Sequence, residues 1–265
     1  MKKTFVPYTA LLFVMIIGIY QLDNLAEDFS EEPQRIQITP STQAEIGQTL
    51  WEYEFEAQES QAELPAWKED SLYVLANSSY EQQKWTAAEE YFDALIQQYP
   101  NQPVLRNYLG LTHYEMKRYD DAVRVFQTTL DQSPAYAAAY INLGIVRTKQ
   151  HKFAQAEQAY RKAIEAQEGN PKPYLNLGIL HTRQENWIDA IRYLEQSIQL
   201  SSGDLKARAH YYAGLSQVSI GDTSLAREHF DESILLRPDY LLPRVQLGLL
   251  EEDIQKKKEY LREIL

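Results

Sequence analysis

The string Tyr140-Ile141-Asn142-Leu143-Gly144 returns almost unchanged as Tyr174-Leu175-Asn176-Leu177-Gly178, 34 residues further on. Working outward from the closing glycine, a small residue stands at Ala76, Gly110, Gly144, Gly178, Gly214 and Gly248, at steps of 34, 34, 34, 36 and 34 residues. A fixed period between about 20 and 50 residues is the signature of a solenoid, in which each unit buries its apolar face only against its neighbours.

The rest of the period shows the same chemistry. With units numbered from Glu69, Pro103, Ala137, Pro171 and Ala207, the seventh position carries Leu75, Leu109, Leu143, Leu177 and Ala213. The twentieth is Ala88, Ala122, Ala156, Ala190 and Ala226, and the twenty-fourth is Phe92, Phe126, Tyr160, Leu194 and Phe230. The twenty-eighth is Ile96, Leu130, Ile164, Ile198 and Ile234. Pro100, Pro134 and Pro238 end three units, while Glu168 and Ser202 stand there in the other two.

Spacings of three, four and seven within each half place the apolar residues on one stripe, which predicts two helices per unit. Alanine and glycine fall where two helix axes must approach closely. Trp85, Tyr119, Phe153 and Trp187 mark the turn between the halves, and Asp120-Asp121 there suits a positive helix end. The closing proline cannot continue the second helix and frees the chain for the next unit.

These residues resemble the tetratricopeptide repeat, whose 34-residue unit has a Leu-Gly pair, a downstream alanine, an aromatic and a closing proline. The resemblance implies an all-α fold: a right-handed α-solenoid of about five and a half tetratricopeptide helix pairs. The units are 69–102, 103–136, 137–170, 171–206 and 207–240, with a partial sixth over 241–250. Two extra residues near 201–206 are expected to lengthen one connection between helices.

The chain opens differently. Lys2 and Lys3 precede residues 4–22, which carry no charge and are rich in Leu, Ile, Val, Phe and Met. A bilayer core of about 30 Å takes roughly 20 apolar residues as a helix. The first charges beyond the run are acidic (Asp23, Glu27, Asp28), so the positive-inside rule puts the N-terminus in the cytoplasm. Residues 1–22 therefore read as an N-terminal transmembrane signal anchor in a bacterial inner membrane, with the repeats in the periplasm. A cleaved secretory signal peptide is the alternative, although its apolar core is usually shorter and small residues flank its cut.

Residues 23–41 are acidic, contain Pro33 and Pro40, and read as a linker. Within 42–68, the residues Ile46, Leu50, Tyr53 and Ala57 share one helical stripe and suggest a capping helix over the first repeat. Residues 251–265 mix Lys256, Lys257 and Lys258 with Ile254, Leu261 and Leu265, as a solenoid end needs for solubility.

The chain contains no cysteine, which excludes thiol catalysis, thiolate metal sites and disulfides. Beyond residue 22 lie all 38 acidic residues but 24 of the 26 basic ones, a formal charge of −14. So acidic a surface disfavours nucleic acid and anionic lipid headgroups as partners.

Candidate binding residues come from the first helices, which line the groove in this architecture. Asn142 and Asn176 hold the sixth position of adjacent units, where an amide can donate to and accept from a peptide backbone. This resembles the asparagine ladder of some peptide-binding tetratricopeptide proteins; the alternative is that each asparagine bonds the neighbouring repeat. On the first reading, Asn142→Ala and Asn176→Ala weaken partner binding and leave stability nearly unchanged. Lys172, Asn176 and Asn142 also resemble part of a carboxylate clamp, although Asn107 and Leu111 stand where the clamp's preceding lysine and asparagine would be. Lys149, Arg183 and Arg208 add local positive charge.

No phosphate loop, His-Glu-x-x-His or nucleophile elbow is present, and His113 and His181 fall where the family has a packing tyrosine. No cofactor or metal is implied, and the chain does not read as an enzyme. The expectation is a membrane-anchored protein-interaction scaffold or assembly factor that holds an extended partner segment. The alternative is a regulatory or self-associating (homo-oligomeric) subunit of an envelope complex for pilus, secretion, cytochrome or cell-wall assembly.

Overall fold

The computed structural model describes residues 66–68, 70–253, 256 and 260. Among the described residues there are eleven α-helices and no strand. They fall into two compact units divided between Leu180 and His181.

In the first unit a single 3-10 turn (Ala66–Lys68) leads into three helix pairs. These are α1 (Ser71–Glu81) with α2 (Trp85–Gln98), α3 (Pro103–Glu115) with α4 (Tyr119–Gln132), and α5 (Ala137–Lys149) with α6 (Phe153–Ala166). The helix α7 (Pro171–Arg183) runs across the division. The second unit holds α8 (Trp187–Leu200), α9 (Gly203–Ile220), α10 (Thr223–Leu236) and α11 (Leu241–Leu250).

The expected two helices per unit are present, and the small residue explains how each pair closes. A Cβ on Gly110 would lie 2.5 Å from the Phe126 ring, on Gly144 2.4 Å from Tyr160, and on Gly214 2.5 Å from Phe230. Position eight is thus the seat of the position-twenty-four ring of its own pair. Phe126, Tyr160 and Phe230 are completely buried as a result.

The turn inside each pair is also periodic. Gln83, Lys117, His151 and Glu185 have φ of 57°, 60°, 58° and 62°, and Gly221 has 87°. One left-handed residue ends the first helix, and the following N–H reaches back to close it. Those bonds run from Lys84 to Ser79, Arg118 to His113, Lys152 to Arg147, Asn186 to His181 and Asp222 to Gln217, at 2.8–2.9 Å. The chain then restarts at once, so Trp85, Tyr119, Phe153 and Trp187 are each the first residue of a second helix.

Three sequence expectations need adjustment. The extra residues near 201–206 lengthen a helix and not a connection: α9 starts at Gly203 (φ 54°) and runs 18 residues, against 13 for α3, α5 and α7. Residues 251–253 are not helical, so any end cap starts beyond them. Arg227 stops α11 by donating through Nη2 to the Leu250 carbonyl at 2.6 Å and through Nη1 to Glu251 at 3.3 Å. Finally, the open end of the first repeat is not capped by described residues. Trp67 packs into the α1–α2 core and meets the Tyr73 ring edge-on at 4.9 Å. Yet Val74 and Leu75, which point where a preceding repeat would lie, are 59% and 47% exposed.

No helix of the described residues is long and apolar enough to cross a membrane. The expected anchor at 1–22, the linker at 23–41 and most of the expected cap at 42–68 lie outside the described residues.

Candidate partner-binding surface

The first helices carry two kinds of face, and α5 shows both. Successive residues turn by about 100° around a helix. Gly144 meets Tyr160 of α6, which fixes one side. Ala139 and Val146 join the core built around Phe126 of α4, fixing a second, and Asn142 bonds α3, fixing a third. Ile145 and Ala138 lie about 100° and 120° from Gly144, away from α6 and the Phe126 core but within about 60° of Asn142. This side, next to the α3 contact, is the inner face.

The inner face is apolar along the first unit except at Lys172. Its ninth position is Leu111, Ile145 and Ile179, and its second is Val104, Ala138 and Lys172. Ile145, Ile179 and Ala138 have no exposed surface, and Leu111 and Val104 keep 5% and 8%. The second helices behave differently. On α6 only the stripe Ala156, Ala159, Tyr160 and Ala163 is buried, as expected of a helix with one wet side. Sequence periodicity missed this row, because residues that line a groove and residues that fill a core are both apolar here.

The asparagines sit deeper than the sequence suggested. Asn107, Asn142 and Asn176 have no exposed surface. The Asn142 amide Nδ2 donates to Asn107 Oδ1 at 2.8 Å, linking the first helices of adjacent repeats. Asn142 therefore commits hydrogen-bonding capacity to the neighbouring repeat, the alternative the sequence had left open. Lys172 is partly buried near the start of α7, and its backbone N–H is bound by Asn170 Oδ1 at 3.0 Å. Lys149 is exposed at the end of α5. Partial desolvation raises the Glu115 carboxyl, and the Lys149 ammonium opposes that shift. Arg183 is partly buried and Arg208 is 6% exposed, both within the second unit.

Two clefts open on the other side of the first unit. One, of about 660 Å³, lies between α4 and α6 and is lined by Gln127, Asp131, Tyr140, Arg147, Gln158 and Lys162. The other, of about 360 Å³, is highly charged and contains Glu89, Asp93, His113, Arg118 and Asp121. There Arg118 bonds both Glu89 and Asp121 at 2.8 Å. Burial and Arg118 depress the His113 imidazole, with Glu89 opposing. Arg118, Glu89 and Asp121 satisfy one another and suit a structural ion-pair net.

In the second unit, His210 Nδ1 and His229 Nδ1 are 3.0 Å apart, one ring donating to the other. Burial and the neighbouring histidine hold His210 at about 4, and burial depresses His229 as well. Nothing in the sequence pointed to this pair, because the partners are 19 residues apart on different helices. Among the described residues no group of three His, Asp or Glu side chains could hold a metal ion.

Comparisons with known proteins agree with this architecture. Family profiles described as tetratricopeptide repeat match residues 70–101, 102–169 and 175–240. No curated protein matches the sequence. Among solved structures, MamA from Desulfovibrio magneticus RS-1 is 20% identical, with a TM-score of 0.54 over 64% of this chain and 94% of that one. A thermophilic TPR protein of Thermus thermophilus, TTC0263, is 17% identical, with a TM-score of 0.54 over 68% of this chain and 97% of that one. Pseudomonas aeruginosa pilF is 20% identical, with a TM-score of 0.56 over 67% and 80%. YrrB, described as a TPR protein with an unusual peptide-binding site, is 20% identical, with a TM-score of 0.50 over 66% and 91%. At these identities the structures speak for the fold alone. With a matched repeat profile over most of residues 70–240 and the glycine–aromatic seat in its helix pairs, the chain belongs to the tetratricopeptide-repeat family.

Proposed function

We propose that this chain is a protein-interaction scaffold that seats an apolar partner segment on the inner face of its first helices. The observation that carries this reading is the apolar row Leu111, Ile145 and Ile179 at one position per repeat, of which Leu111 also joins the core around Phe126. A row of that kind, repeated at one position per unit, is what a groove-binding solenoid presents to a partner segment. The peptide-binding site in YrrB's description supports a peptide as the class of ligand. Lys149 and Lys172 at the rim favour acidic residues beside the partner's apolar ones.

The scaffold is proposed to work at a bacterial inner membrane, held by residues 4–22 with its repeats in the periplasm, as a non-catalytic assembly factor. The two lysines before that run and the acids after it support this orientation. A photo-crosslinking residue in place of Leu111, in the native membrane, is expected to capture a discrete partner segment by mass spectrometry. The same residue in place of Gln158, in the outer cleft, is expected not to. Equal capture from both positions would sink the inner-face reading. Full-length chain that leaves the membrane fraction on carbonate washing would sink the anchor.

A further inference from the structure

We propose that His210 and His229 hold one divalent transition-metal ion, zinc foremost, between their Nδ1 atoms, and that the ion staples α9 to α10. The geometry comes first. The two Nδ1 atoms are 3.0 Å apart, the ring centroids 5.2 Å apart, and the ring planes inclined at 49°. The rings therefore meet nitrogen to nitrogen and not by stacking. Two imidazoles on a tetrahedral zinc, bonded at about 2.0–2.1 Å, place their nitrogens about 3.3 Å apart and their ring centres about 5.2 Å apart. Pivoting the rings about their present centres opens the gap by the needed ~0.3 Å, with no movement of either helix.

The protons balance as well. Without metal, one ring carries its proton on Nδ1 and donates it to the other. A metal takes the lone pair of both Nδ1 atoms, so that proton moves to Nε2 of the same ring and neither imidazole changes charge. Neither Nε2 belongs to the buried polar atoms left without a partner, so the proton is not stranded in the core.

The surroundings favour a cation. Glu195 on α8 and Glu228 and Glu232 on α10 act on His229, while Lys206 acts on His210 in the opposite sense. Three carboxylates against one ammonium leave a negative field at the pair. None of the three completes a three-residue site as placed, so water fills the remaining coordination positions. Imidazole donors select zinc, copper or nickel over magnesium and calcium, which take oxygen. His210 and His229 are 19 residues apart on separate helices, so the ion binds the docked pair and stabilises it over the unfolded chain.

The test uses full-length chain stripped of metal with a chelator and then dialysed. Equilibrium dialysis is expected to find one zinc per chain, and zinc is expected to raise the melting temperature where equal magnesium does not. His210→Gln and His229→Gln are each expected to weaken zinc binding at least tenfold, whereas His151→Gln, on an exposed turn, leaves it unchanged. No zinc retained, undiminished binding in either variant, or an equal response to magnesium would overturn the proposal, the last by assigning the cation to surface carboxylates. Should a glutamine variant lose helical circular dichroism, cobalt(II) on the parent chain decides. An intense visible band from a four-coordinate site supports the proposal, and the pale spectrum of a six-coordinate ion overturns it. Partner capture at Leu111 has no bearing on any of these outcomes.

Discussion

At the scale of single residues, position eight is decided by the ring opposite it. A methyl on Gly144 would sit 2.4 Å from Tyr160, inside any real carbon–carbon contact, so α5 and α6 must separate to admit it. Gly144→Ala is expected to cost about 1–3 kcal/mol, the range for overpacking a dense core, measured by urea unfolding. Adding Tyr160→Leu is expected to recover part of that loss. The first repeat shows the compensation is attainable, since Ala76 and Phe92 share a fully buried core there. Asn142 behaves unlike the free ladder rung its sequence suggested. Because its amide feeds Asn107 Oδ1 with no exposed surface on either residue, Asn142→Ala removes a buried donor and is expected to destabilise by about 1–3 kcal/mol. Replacing both asparagines by leucine removes acceptor and donor together and is expected to cost less than the two single losses added. An additive double mutant would show that the pair is not coupled.

At the scale of elements, the helices were legible because each is written by a repeating stripe, while the turns and clusters between them were not. The period placed Gly110, Ala122, Phe126 and their equivalents, and the structure seats the rings of Phe126, Tyr160 and Phe230 on Gly110, Gly144 and Gly214. It misjudged the region 201–206, where backbone hydrogen bonding favours extending α9 over lengthening a loop. It was silent on the left-handed residue of each turn, because Gln83, Lys117, His151 and Glu185 have no residue type in common. That silence leads to a prediction. A side chain in the left-handed region costs about 1 kcal/mol relative to glycine, so Lys117→Gly and His151→Gly are each expected to raise stability by roughly that much. Gly221→Ala, at φ 87°, is expected to lose a similar amount. The pairing of α9 with α10 adds a pH effect. His210 titrates near 4 in the folded chain and near 6.5 when unfolded, so the unfolded state binds more protons between those values. Stability is therefore full above about pH 6.5, falls as pH drops towards 4, and levels off below. Glu195, Glu228 and Glu232 soften the matching shift on His229. The melting temperature is expected to fall between about pH 7 and 4.5, and His210→Gln is expected to flatten that fall relative to the parent. An unchanged slope in the variant would assign the acid sensitivity to carboxylates elsewhere.

At the scale of the whole molecule, the formal charge of −12 makes two electrostatic effects compete. Exposed ion pairs favour low salt. Arg118 with Glu89 and Asp121, Arg161 with Glu157, and Arg192 with Asp189 have N–O distances of 2.7–2.8 Å. Each such surface pair contributes at most about 1 kcal/mol, and salt screens it. Against them stands the repulsion among surplus acids, which opposes any compact state. The surplus is 38 acidic against 26 basic residues. Pairs act over a few ångströms, whereas the repulsion sums over the whole surface, and at about 0.01 M salt its range reaches roughly 30 Å. The repulsion should win. Raising sodium chloride from about 10 to 150 mM shortens the range to about 8 Å and is expected to raise the melting temperature by a few degrees, on the order of 1–2 kcal/mol for a chain of this size. Chloride is the right salt for the measurement, because sulfate would stabilise by exclusion from the surface whatever the charge. A melting temperature that falls with added chloride would mean that the arginine pairs, and the net around Arg118 above all, outweigh the acidic surplus.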